Sequence, residues 1–123
     1  MISYAVYKII HLVGVLMIYL SLGGVATNAI NGGGRNHSWR IPIAITHGIG
    51  LLLSLVGGFG LLARLGIVQG GMPGWVWAKL GIWVLFAALV TVLVRKPSAA
   101  KPVWALTILL GAVAAYLAGS KPF

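Results

Sequence analysis

The chain has 123 residues, of which 60% are hydrophobic and only 7% charged. Its nine Lys and Arg residues meet no Asp or Glu, for a formal charge of +9, and Cys is absent. Those counts exclude paired-carboxylate hydrolysis, carboxylate proton relays, thiolate metal sites and disulfides.

A soluble domain of this size usually carries ~25% charged residues. It could not hide this much apolar surface, because small domains leave much of their chain exposed. A bilayer acts as the solvent for the apolar faces. The basic residues stand singly between apolar segments, without the clustering that nucleic acid requires. Anionic lipid headgroups, or an anionic ligand, are the partners such a balance fits.

The first apolar stretch covers residues 2–26. It is too long for the apolar core of a signal peptide and reads as a membrane span. Tyr4, Tyr7, His11 and Gly14 share one helical face, with Lys8 on its flank. The run Asn31-Gly32-Gly33-Gly34-Arg35-Asn36 is a flexible polar loop, and Pro42 follows it where a first helical turn tolerates proline.

The second stretch covers 41–67. His47, Gly50, Ser54, Gly57, Leu61 and Arg64 follow helical spacing, and Gly58 and Gly60 widen the stripe. Small residues on one face admit a neighbouring helix, and they leave room for a flat ligand. Gln69-Gly70-Gly71-Met72-Pro73-Gly74 forms the next turn.

The third stretch, 75–94, aligns Trp75, Lys79, Trp83 and Phe86. Trp75 and Trp77 fit an interfacial belt, and Lys79 either snorkels to the headgroups or serves the interior. A loop from Arg95 to Pro102 leads to the shortest stretch, 103–118. Along one side of it run Trp104, Thr107, Gly111, Ala115 and Ala118, with Gly119 alongside. Gly111, Ala115 and Gly119 are spaced for close packing in the bundle or in a homodimer.

Backbone groups in lipid must bond within their own segment, which requires helices, and no strand-like alternation is visible. Short loops make successive helices antiparallel. The expected fold is all-α, an integral membrane antiparallel four-helix bundle. Loops one and three hold Arg35, Arg40, Arg95, Lys96 and Lys101, against Lys8, Arg64, Lys79 and Lys121 on the opposite side. That bias predicts cytoplasmic loops one and three, with both termini outside.

Depth decides which residues meet. With Asn28 opposite Ile41, His11 falls opposite Gly57 and Gly58, and His47 opposite Gly23 and Gly24. The two histidines are then offset by ~15 Å and do not ligate one iron within one subunit. His11, Lys8, Arg64 and Lys79 fall toward the same membrane face. A neutral His is a ready iron ligand, and basic rim groups can neutralise two propionates. With glycines opposite to admit the porphyrin plane, the constellation reads as a haem b site with His11 as axial ligand. His47 is a candidate for a second ligand site near the other face, across a dimer.

Tyr7-Lys8-Ile9-Ile10-His11-Leu12-Val13-Gly14 resembles the first helix of small four-helix bacterial membrane proteins, the HemJ-type protoporphyrinogen oxidases and the copper resistance D domain. Gly74-Trp75-Val76-Trp77-Ala78-Lys79-Leu80 resembles their third helix. The resemblance implies a bacterial inner-membrane protein that binds haem b, with His11 and Lys79 in the places of the family's His and Lys, and porphyrinogen oxidation as the activity.

The leading expectation is therefore a membrane haem protein with a redox or electron-transfer role. The alternative is a small non-catalytic membrane protein that packs with a partner or assembles a larger complex, motivated by the small-residue stripes. A transporter or channel ranks third, since no charged pathway or helix-breaking proline lies at mid-membrane.

Overall fold

The structure, a computed structural model, describes residues 3–34, 36–66 and 71–120. It contains α1 (Tyr4–Ile30), α2 (Arg40–Leu65), α3 (Gly74–Arg95) and α4 (Ala100–Ser120), with a 3-10 turn at Pro97–Ala99 leading into α4. Each long helix is long and apolar enough to cross a membrane. At ~1.5 Å per residue the 27 residues of α1 extend ~40 Å, beyond the ~30 Å of a hydrocarbon core.

The Ser3 hydroxyl caps α1 by accepting from the Val6 N–H at 3.3 Å. The helix continues past its expected end at Ala26 through Thr27, Asn28 and Ala29. These residues are polar or small but do not break a helix. Asn28 turns its side chain outward and donates to the Gly34 carbonyl at 3.0 Å instead of competing for its own turn. α2 stops at Gly66, whose φ of 70° closes the helix in the left-handed conformation that glycine adopts at low cost.

α4 begins three residues earlier than its hydropathy alone indicates, at Ala100. Pro102 sits in its first turn, where the missing N–H would have no intrahelical partner. The shortest apolar stretch thereby becomes a helix of 21 residues. The expected limits at Ile2 and Ile67, and residues Arg35, Gln69, Gly70 and Lys121, lie outside the described residues.

α1 is the axis of the bundle and touches all three other helices, with α2 its closest neighbour by far. α3 packs on both α1 and α4. Backbones of α2 and α3 stay apart, and long side chains join them: Trp83 Nε1 donates to the Leu51 carbonyl at 2.9 Å. Tyr19 ties three helices. Its hydroxyl donates to the Thr107 carbonyl of α4 at 2.9 Å, and its ring meets Phe86 of α3 edge-on at 5.5 Å.

α4 turns only part of its small-residue stripe into the bundle. Val103, Thr107, Leu110 and Leu117 turn inward, while Trp104 and Ala115 are exposed and Gly119 has nothing within 4 Å of where a Cβ would stand. Large side chains fill the space over α3, and a small one is needed only at Gly111, where the Tyr19 hydroxyl takes the place of a Cβ. Leu16, Leu20 and Ile108 face outward, as lipid contact allows.

Candidate functional site

The site is built on the α1–α2 contact. Hydrophobic burial does not drive helices together in lipid, so close packing of small residues must do so. A Cβ on Gly50 would stand 2.8 Å from the Gly14 carbonyl and 2.9 Å from Met17 Cβ. One on Gly57 would stand 2.7 Å from His11 Cα, and one on Gly60 would collide with the Tyr7 ring. The two helices are in close contact from Gly50 to Gly60 of α2, against Tyr7 to Ile18 of α1, and the small residues of that stripe are what permit it.

The expected register holds to within about two residues, and His11 does sit against Gly57 and Gly58. The space beside those glycines belongs to α1. The His11 backbone lies over Gly57, and its Nδ1 would be 3.3 Å from a Cβ on Gly58. A flat ligand has no room between α1 and α2 at this level. His11 is only half-buried, so its ring is approached from outside that contact.

His11 Nδ1 lies 2.8 Å from the Ser54 carbonyl oxygen. A carbonyl only accepts, so Nδ1 carries the proton and donates. The neutral ring then holds its lone pair on Nε2. This is the arrangement by which proteins fix a metal-ligating imidazole, one nitrogen bonded to a backbone carbonyl and the other presented. Lys79 of α3 stands near enough for its charge to act on the ring. The Ser54 hydroxyl donates to the Leu51 carbonyl at 3.0 Å, the same oxygen that accepts from Trp83. One turn of α2 thus offers two carbonyls, one bonded from α1 and one from α3.

His47 lies elsewhere. Gly24 meets the Ile43 side chain at 3.3 Å, and Gly23 has nothing within 4 Å of its missing Cβ. The histidine faces α3 instead, beside the Phe86 backbone. The α2 stripe is wider than a single contact: its glycine edge meets α1 and its His47 edge meets α3. His47 is 4% exposed, and its Nε2 has no hydrogen-bond partner among the described residues. His47 and Ser54 are two helical turns apart, or ~10 Å, which keeps the two imidazoles separate.

The antiparallel order brings Lys8, Arg64 and Lys79 to the His11 end of the bundle. Lys8 and Arg64 are exposed, and Lys79 is half-buried. Arg64 occupies the last turn of α2, where a cation also complements the helix dipole. The structure thus gathers His11, Gly57, Gly58 and Lys79 and leaves His47 apart. Sequence reasoning missed the Ser54 carbonyl as the anchor of His11, since a backbone acceptor has no residue signature. It also missed Tyr19, for which a signal existed: a hydroxyl deep in a span must find a partner.

Among the described residues no three metal-ligating side chains gather in one place. A bare divalent ion generally needs three or four protein ligands. Haem iron needs one or two, because the porphyrin supplies the rest. A single imidazole is thus short of the ligands a free ion needs. Comparison of the chain with protein-family models, curated proteins and solved structures finds no match.

Proposed function

We propose that this protein is a membrane haem b-binding protein with a redox role, His11 serving as axial ligand through Nε2. The observation that carries the reading is the bond from His11 Nδ1 to the Ser54 carbonyl, which orients the ring and leaves the other nitrogen for iron. Bound haem would supply one-electron chemistry at its iron. The chain's part is to hold and orient that group. Lys79, Arg64 and Lys8, at the same end, are the cations for the propionates. His47, with an unpaired buried nitrogen, is the candidate for a second ligand site. Porphyrinogen oxidation is the enzymatic form of this reading. Its setting is a bacterial inner membrane, with loops one and three cytoplasmic.

The test is the absorption spectrum of the purified protein in detergent after haem reconstitution. A Soret band that shifts on dithionite reduction, and that is lost in His11→Ala, is the expected result. A protein that stays colourless overturns the haem reading, and a full band in His11→Ala overturns the ligand assignment.

A second reading, a non-catalytic protein that packs with a partner or with its own copy, is favoured by the outward Ala115 and Gly119 of α4. A stoichiometric second chain that co-purifies, with no pigment, would be its sign.

A further inference from the structure

His11 lies ~10 Å inside α1, where lipid offers its ring no hydrogen-bond partner. The groups that orient a ligating imidazole are carboxylates, backbone carbonyls and water. The chain contains no Asp or Glu, so a carbonyl is the protein acceptor left to it. Helix carbonyls are poor candidates as a rule. Each already accepts from the N–H four residues on, and the side chains at i+3 and i+4 lean back over it.

The Ser54 carbonyl escapes that cover. The residues three and four beyond it are Gly57 and Gly58, so no side chain of the next turn stands over its oxygen, and His11 Nδ1 reaches it at 2.8 Å. The Leu51 carbonyl follows the same pattern more weakly: the small Ser54 stands at its i+3 position, and it accepts from Trp83 Nε1 at 2.9 Å. The two glycines have different tasks. A Cβ on Gly57 would run into the His11 backbone, 2.7 Å from Cα, so this residue sets the helix spacing. A Cβ on Gly58 would meet only the ring, with Nδ1 at 3.3 Å and Cε1 at 3.5 Å. Nδ1 is the donor itself. A side chain at position 58 presses on that bond and leaves the backbone of α1 where it is.

We propose that Gly58 is a positioning residue for His11: by leaving the Ser54 carbonyl bare it holds the ring proton on Nδ1 and keeps Nε2 as the ligating nitrogen. An imidazole in water prefers its proton on Nε2, so the bare carbonyl decides which nitrogen can bind a metal. The consequence for iron rests on the haem reading. A hydrogen-bonded Nδ1–H makes Nε2 the stronger electron donor and so favours ferric over ferrous iron. The tautomer itself does not depend on haem.

The experiment reads the tautomer in the haem-free full chain. Long-range proton–nitrogen correlation spectra are recorded in detergent on protein labelled with isotopic histidine, at a pH where the imidazoles are neutral. His11→Gln identifies the His11 signals by their loss. The parent is expected to carry the His11 proton on Nδ1. Gly58→Val should move it predominantly to Nε2. Gly58→Ala, the milder change should valine prevent folding, should show both tautomers. Gly48→Ala, whose added Cβ meets nothing within 4 Å, should match the parent. With haem bound, Gly58→Ala should keep the Soret band and have a higher midpoint potential than the parent. A tautomer shift in Gly58→Ala from a parent that stays colourless with haem would support the proposal and overturn the haem reading alone. A parent protonated on Nε2, or parent-like spectra in every Gly58 variant that folds, overturns the proposal.

Discussion

At the scale of single residues, glycine divides into two kinds that the sequence does not distinguish. Gly57 and Gly48 both lie in α2. A Cβ on Gly57 meets the backbone of His11, whereas one on Gly48 meets nothing within 4 Å. Gly57→Ala must push α1 away, and overpacking of this kind costs ~1–3 kcal/mol. Gly48→Ala, which meets no neighbour, should be neutral to stabilising by up to ~1 kcal/mol, because alanine is the better helix former. Unfolding of the two variants in mixed detergent micelles measures the difference, and equal effects would mean that the α1–α2 contact is looser than described. His47 gives the opposite kind of case. A buried donor or acceptor without a partner costs ~1–3 kcal/mol, whereas an apolar replacement of similar shape is close to neutral or stabilising. His47→Leu is therefore expected to match or exceed the parent in the same assay. A large loss would show that the ring's contact with the Phe86 backbone outweighs the unpaired Nε2. The stripe containing these residues was legible because small residues at helical spacing mark one face. Which of them touch, and that His11 is held by a carbonyl, was not, because both depend on the rotation of a second helix.

At the scale of elements, helix number and type were legible because hydropathy alone sets them in a bilayer. Two helix ends were displaced for local reasons: Asn28 bonds outward to Gly34, and Pro102 fits a first turn. The face that α4 buries was less legible. A helix that is apolar all round carries no amphipathic signal, so its small-residue spacing left open whether that face packs in the bundle or in a homodimer. The bundle instead turns leucines and Val103 inward and uses Gly111 to seat the Tyr19 hydroxyl. Tyr19 is then the residue that fixes how α4 sits on α1. Tyr19→Phe keeps the contact with Phe86 and deletes the bond to the Thr107 carbonyl. Interhelical hydrogen bonds in membranes average ~0.6 kcal/mol and reach ~1.7, so the loss should fall in that range. A variant as stable as the parent would mean that packing alone positions α4.

At the scale of the whole molecule, antiparallel order and short connections put loops one and three at one end and the start of α1 with the second turn at the other. Of the described basic residues, Arg40, Arg95, Lys96 and Lys101 belong to the first end, and Lys8, Arg64 and Lys79 to the second. The bias that orients membrane proteins counts Lys and Arg close to the ends of spans, and acidic residues, absent here, do not complicate the count. The chain also lacks Cys, so any introduced thiol is the only one to react. Asn36→Cys and Ser98→Cys lie at one end; Ser3→Cys and Met72→Cys lie at the other. In right-side-out vesicles, a membrane-impermeant maleimide is expected to label Ser3→Cys and Met72→Cys before lysis, and Asn36→Cys and Ser98→Cys only after it. The reverse order would invert the orientation and leave the bundle intact, because the pairs would still be the same. Labelling that separates Asn36→Cys from Ser98→Cys would remove a span from the fold. It would also part the tips of α1 and α3, which line one recess at that end, so the packing of the bundle rests on the same topology as the membrane assignment.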